Sequence, residues 1–180
     1  MKRIVTGHDR SGKSIFVSEG EPPKQVTHAA GGLQITEIWG TDEVPVVPAP
    51  TEDPTTVRHR YFPDPGGTRF VVVRFPPAAE AERAAARAVD AVTATKEFFD
   101  HFPGLGDLME EEHPGMHASQ TVDYLLVLSG EIDLELDDGV TRRLKAGDCV
   151  VQNGTRHAWR NPGDVDCVLA GVVVGARSNW

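Results

Sequence analysis

His117, Ser119, Thr121, Asp123 and Leu125 stand two apart within Gly115-Met116-His117-Ala118-Ser119-Gln120-Thr121-Val122-Asp123-Tyr124-Leu125. Residues two apart on an extended strand point the same way, so all five share one face if the strand is unbroken. His157 and Trp159 share a face on a partner strand by the same rule. Two imidazoles and a carboxylate that converge make a 2-His-1-carboxylate set. Such a set suits iron, manganese, zinc or nickel and leaves coordination positions open. His117, Asp123 and His157 are therefore the candidate metal ligands, and Asp123 and His157 the candidate catalytic proton carriers. Ser119, Thr121, Gln152 and Trp159 are the candidate ligand pocket. The same residues also make sense without a metal, with both imidazoles hydrogen-bonded to Asp123 and Ser119. The cofactor is thus a divalent ion or none.

A second constellation matches a chemical pattern and fails on its surroundings. Gly7-His8-Asp9-Arg10-Ser11-Gly12-Lys13-Ser14 fits the phosphate-loop spacing letter for letter. That loop works only where a helix begins at the lysine, so that backbone N–H groups and the helix dipole meet phosphate. Here Ile15-Phe16-Val17 follows, a β-type run, with Glu21-Pro22-Pro23 soon after. The segment reads as a hairpin turn between two strands.

The elements that must position the chemistry fall into three stretches. Residues 1–75 hold short β-type runs (Arg3 to Thr6, Ser14 to Val17, Gln34 to Trp39, Thr68 to Phe75), with a proline-rich loop from Val44 to Pro54. Residues 78–102 are built from strong helix formers and read as one helix or two short ones. Their apolar face, Val89, Val92, Phe98 and Phe99, is expected to pack on the β structure. In residues 110–176, Ile132, Leu134 and Leu136 alternate with Glu131, Asp133 and Glu135, the period of a half-buried strand. Turns at Asp138-Gly139, Lys145-Ala146-Gly147-Asp148 and Gly154 separate further short strands, the pattern of an antiparallel sandwich or barrel. Cys149 and Cys167 sit in apolar runs and read as buried, reduced thiols. His113 and the acidic runs Glu110 to Glu112 and Asp137-Asp138 read as loop; Tyr124 has outward parity; Trp39 reads as packing and Trp180 as tail.

His117 through Gly130 resembles the first cupin motif, His-x-His, three or four residues, Glu, six residues, Gly. Six residues separate Asp123 from Gly130, which puts Asp123 in the Glu place, His117 in the first His place and Ser119 in the second. Gly147 through Asn161 resembles the second motif, with Gly154, His157 and Asn161 matching its ending and the usual proline missing. The likeness covers about residues 110–176 and is nearest to small single-domain bacterial cupins reading His-x-Ser/Thr-x-Thr-x-Asp-Tyr. It implies a mostly β fold, a double-stranded β-helix (jelly-roll barrel) with a packed helical segment, forming one domain over residues 1–180. It implies a pocket at one barrel mouth, and dimerisation through residues 1–20. Ser119 removes a nitrogen donor and Asp123 is shorter than Glu, so both changes weaken metal binding; a Gln152 amide oxygen is a candidate replacement.

The charge balance sets the partners. Eighteen Lys and Arg against 27 Asp and Glu leave a net charge of −9, which repels phosphate backbones and argues against nucleic acid. No uncharged run of membrane-spanning length and no apolar leader is visible, so a cytoplasmic, bacterial-type protein is expected. The expected function is small-molecule binding in the pocket. It extends to metal-assisted dioxygenation, isomerisation, dehydration or decarboxylation of a small oxygenated compound. The alternative is a metal-free ligand-binding or sensor protein without catalysis.

Overall fold

Short runs of β-branched residues bounded by glycine and proline fold as strands, because branched side chains pack well on a pleated surface. The computed structural model describes residues 1–49, 52–57 and 59–179. Part of the Val44–Pro54 loop, and Trp180 with its expected tail position, lie outside the described residues. A hairpin of its own is formed by β1 (Arg3–His8) and β2 (Ser14–Gly20). The six-stranded sheet runs β3 (Lys24–Thr27), β4 (Gln34–Thr41), β5 (Thr68–Phe75), β11 (Cys167–Gly175), β6 (Thr121–Ser129), β9 (Cys149–Asn153). The three-stranded sheet runs β10 (Ala158–Arg160), β7 (Glu131–Glu135), β8 (Thr141–Lys145). All these pairings are antiparallel.

The two larger sheets close on each other through Ile132 of β7, Val127 of β6, and Cys167 and Leu169 of β11, all buried, with Leu144 and Trp159 packed alongside. The fold is a mostly β jelly-roll barrel. At its other end, α1 (Ala78–Arg87) and α2 (Ala91–Asp100) cross between β5 and β6. Phe98, Phe102 and Leu105 pack there against Ile35, Phe62 and Val173.

The phosphate-loop lookalike is a hairpin turn. Asp9 Oδ1 accepts from the backbone N–H of Ser11 (2.8 Å) and of Lys13 (3.0 Å), and from the Ser11 hydroxyl. Those are the amides a phosphate would need.

The helical stretch is two short helices, one of the two forms expected: it breaks at Val89 and Asp90, because the Asp90 carboxylate caps a new helix by accepting from Thr93 N. Two expectations change. That break leaves Val89 and Val92 in solvent, so only Phe98 and Phe99 form the packed face. Cys167 is fully buried, and burial pushes its thiol up to about 11. Cys149 is exposed, since it shares the outward parity of β9 with Val151.

Two buried charged groups fix the loop that leads to the site. Arg69, 1% exposed, donates to the carbonyls of Thr41, Thr68 and Arg60 and to the Asp42 carboxylate, which holds the backbone just before Tyr61 and Phe62. Glu37, 2% exposed, pairs with Lys24 at 2.8 Å and accepts from His59 Nε2. Burial alone would raise the Glu37 carboxyl, but the hydrogen bonds from His59 and Lys24 outweigh it and hold the carboxyl below its ordinary 4.5. A carboxyl lowered by folding stabilises the fold above its unfolded value and stops doing so as pH falls through the folded one. Glu37→Ala is expected to cost roughly 3 kcal/mol in urea unfolding at pH 7, because Lys24 loses its buried partner. The gap from wild type should narrow below pH 4.5; a gap that stays constant down to pH 3 would show that the charge is not what stabilises.

Candidate functional site

His117 precedes β6 and His157 precedes β10, and the two residues are joined outside any strand by a reciprocal pair of backbone hydrogen bonds. His117 N donates to His157 O at 3.0 Å, and His157 N donates to His117 O at 2.9 Å. This bridge brings the imidazoles together with centroids 4.4 Å apart at 48°. Each Nδ1 faces a backbone carbonyl, Gly115 O at 3.1 Å for His117 and Thr155 O at 2.9 Å for His157. A carbonyl only accepts, so each Nδ1 carries the ring hydrogen and each Nε2 keeps its lone pair. Burial lowers His117 below its ordinary 6.5, and burial together with the neighbouring His117 lowers His157 to about 4. Both rings are therefore neutral at pH 7.

Asp123 lies on β6 between Val173 of β11 and Gln152 of β9, with its side chain turned inward. Its Oδ1 is buried without a hydrogen-bond partner among the described residues. Burial raises the carboxyl to about 6, against a smaller lowering by the Thr121 hydroxyl.

His117, His157 and Asp123 line one cavity of about 280 Å³. Its other walls are aromatic (Tyr61, Phe62, Phe75, Phe98, Phe99, Trp159) and aliphatic (Ile35, Val71, Val73, Leu125, Leu169, Val173). A cavity of roughly 150 Å³ accommodates benzene, so this one holds a body about twice that size.

As strand parity predicts, His117, Asp123 and Leu125 face this cavity; Trp159 joins them from β10, which pairs with β7 in the other sheet and is not a partner of β6. Ser119 and Thr121, though buried, bond each other at 2.7 Å and open onto a neighbouring polar cleft instead. The chain curves between His117 and β6, so the five residues share parity without sharing one space. Gln152 turns its amide N–H groups to Thr155, including the Thr155 carbonyl at 3.1 Å, the same carbonyl that sets the His157 tautomer. It thus acts on His157 through the Thr155 turn. His113 is an exposed loop residue and Tyr124 faces outward, 56% exposed. Trp39 lines a cleft beside the β1–β2 hairpin.

The residues that sequence reasoning missed are Tyr61, Phe62 and His28. Tyr61 stacks edge-on against Phe62 and Phe102, and burial, then the charges of Asp123 and Glu37, raise its phenol. These side chains come from loops with no periodicity to read. The donor types of His117, His157 and Asp123 suit a divalent transition ion. As placed, however, no three His, Cys, Asp or Glu side chains among the described residues are arranged to hold one.

The "Cupin domain" family model matches residues 105–175, the stretch that carries His117, Asp123 and His157. Over 169 residues the chain is 31% identical to "Phomopsin biosynthesis cluster protein C'" of Diaporthe leptostromiformis, covering 88% of this chain and 69% of that protein. This chain is a cupin. Another relative is the "Cupin-domain-containing oxidoreductase fogC" of Aspergillus ruber, 27% identical over 88% of this cupin and 63% of its own length. Both relatives are fungal. Among solved structures, a Cupin 2 conserved barrel domain protein from Salinispora arenicola CNS-205 is 16% identical. It aligns over 84% of this cupin and 82% of its own chain, with a TM-score of 0.42. Among the described residues no helix is long and apolar enough to cross a membrane.

In this cupin the motif residues divide their work. His117, Asp123 and His157 face the cavity, whereas Asn161 is structural, donating to Phe75 O at 2.9 Å and Val165 O at 2.8 Å. Gly130 turns with φ +74°, and a Cβ there would lie 2.4 Å from Asp166 O, so only glycine fits. A carboxyl raised by folding destabilises the fold once pH exceeds the unfolded value, fully so above the folded value of about 6. Asp123→Asn removes that penalty. It should stabilise the protein by about 2 kcal/mol at pH 8 and by nothing at pH 3.5. Equal stability of the two proteins at pH 8 would show that the carboxylate is solvated or partnered.

Proposed function

We propose that this cupin is an enzyme that moves a proton on a small oxygenated organic compound seated in the 280 Å³ cavity, with Asp123 as general base. The observation that carries the reading is the buried, unpartnered Oδ1 of a carboxylate poised near pH 6 beside neutral imidazoles. A base works best with a value near the operating pH, and burial is the usual means of bringing a carboxylate there. A folded chain that leaves a buried carboxylate oxygen unmatched accepts a cost of about 1–3 kcal/mol, which a bound substrate proton can offset. Isomerisation and dehydration are the reactions these residues support without any co-reactant: Asp123 takes a proton from one carbon and either returns it to a neighbouring atom of the substrate or passes it to the leaving hydroxyl, which departs as water, while the imidazoles accept hydrogen bonds from the substrate's other hydroxyls. The name oxidoreductase carried by the Aspergillus ruber relative favours a second reading, in which His117, His157 and Asp123 would have to draw closer together to hold a divalent metal, and the ion would supply Lewis acidity or O₂ binding. A metal-free sensor would use the same cavity without turnover.

Exchange of substrate α-hydrogens in D₂O, followed by NMR over a panel of hydroxy-carbonyl compounds, tests the base. Exchange should rise with pH through about 6 and level off, because the deprotonated carboxylate is the active form. Asp123→Asn should slow it at least about a hundredfold. Exchange that survives in Asp123→Asn would remove Asp123 from the role. Plasma mass spectrometry of untagged protein decides the second reading: near-stoichiometric metal in wild type that vanishes in His157→Ala would favour metal-assisted chemistry.

A further inference from the structure

The polar groups this cavity offers through His117, His157 and Asp123 are all acceptors. Each imidazole spends its one hydrogen on a backbone carbonyl, Gly115 O or Thr155 O, and so presents only an Nε2 lone pair. Among the described residues neither Nε2 makes a hydrogen bond, and Asp123 Oδ1 is buried without a partner. A ligand that itself brings acceptors to these atoms would repel them, while one that brings O–H groups would satisfy them. Around these acceptors stand the aromatic faces and edges of Tyr61, Phe62, Phe75, Phe98 and Trp159. Flat walls of this kind favour a flat ligand, because offset and edge-to-face ring pairs add to simple burial. The space, about 280 Å³, is about twice the roughly 150 Å³ that accommodates benzene.

We propose that the substrate class is a one- or two-ring aromatic compound with at least one free ring hydroxyl, bound with its O–H donated to the His117, His157 and Asp123 acceptors. This rests on the reading of the cavity as the reaction site, and narrows it. Gln152 belongs to the same device as a positioning residue: it grips the Thr155 carbonyl that fixes the His157 tautomer.

The test is calorimetric binding of 2-naphthol, 2-methoxynaphthalene and naphthalene to the full chain and to Asp123→Asn. 2-Naphthol should bind wild type at least about tenfold more tightly than its methyl ether, the weight of one hydrogen bond to a charged acceptor. Asp123→Asn replaces an acceptor oxygen with an N–H₂ donor that suits the ether, so the preference should shrink in that variant. Long-range ¹H–¹⁵N spectra should show both imidazoles protonated at Nδ1, and Gln152→Ala should disturb that state at His157 while leaving His117 unchanged. Equal wild-type affinity for naphthol and ether overturns the substrate class while leaving the cavity reading intact. No binding of any of the three overturns both. An imidazole found protonated at Nε2 overturns the acceptor argument on its own.

Discussion

Two reciprocal backbone hydrogen bonds between His117 and His157 govern the site. They join the segment entering β6 to the segment entering β10, two strands that belong to different sheets. With the backbones locked, the imidazoles have one relative position, 4.4 Å apart, and the local turns at Gly115 and Thr155 then determine which nitrogen of each carries hydrogen. The closeness of the rings follows from that bridge, their neutrality from burial, and the free Nε2 lone pairs from the Gly115 and Thr155 carbonyls.

The fold treats its two inward carboxylates on the six-stranded sheet in opposite ways. Glu37 on β4 is almost fully buried, yet Lys24 and His59 satisfy it and its carboxyl is lowered. Asp123 on β6 is buried with Oδ1 unmatched and its carboxyl is raised. The same burial acts on both; the difference is whether a donor comes with it. A satisfied carboxylate stabilises the protein and has nothing left to give a ligand. An unsatisfied one costs stability and keeps its binding capacity, the usual trade between folding and function.

The aromatic loop and helix residues close the space that the strands leave open. Arg69 holds the Arg60 carbonyl, so Tyr61 and Phe62 are delivered to the cavity wall by a backbone that cannot drift. Phe98 enters from α2, beyond the break at Val89 and Asp90. That break is legible in hindsight from Asp90-Ala91-Val92-Thr93, a cap placed in the middle of a helix-forming run.

The sequence by itself determined most of the strands (β3 excepted), the Asp9–Lys13 turn, the inward direction of Asp123 and the choice of His117 and His157 as candidate site imidazoles. It could do so because strand parity and turn chemistry are local, decided by residues within a few positions of one another. Tertiary structure alone decided that Ser119 and Thr121 open onto a different cleft from His117, that Gln152 serves Thr155, that Cys149 faces solvent, and that Tyr61 and Phe62 reach the cavity. Each of these depends on chain curvature or on contacts between residues far apart in sequence, where a rotation of a few tens of degrees moves a side chain from one space to the next and leaves no periodic trace.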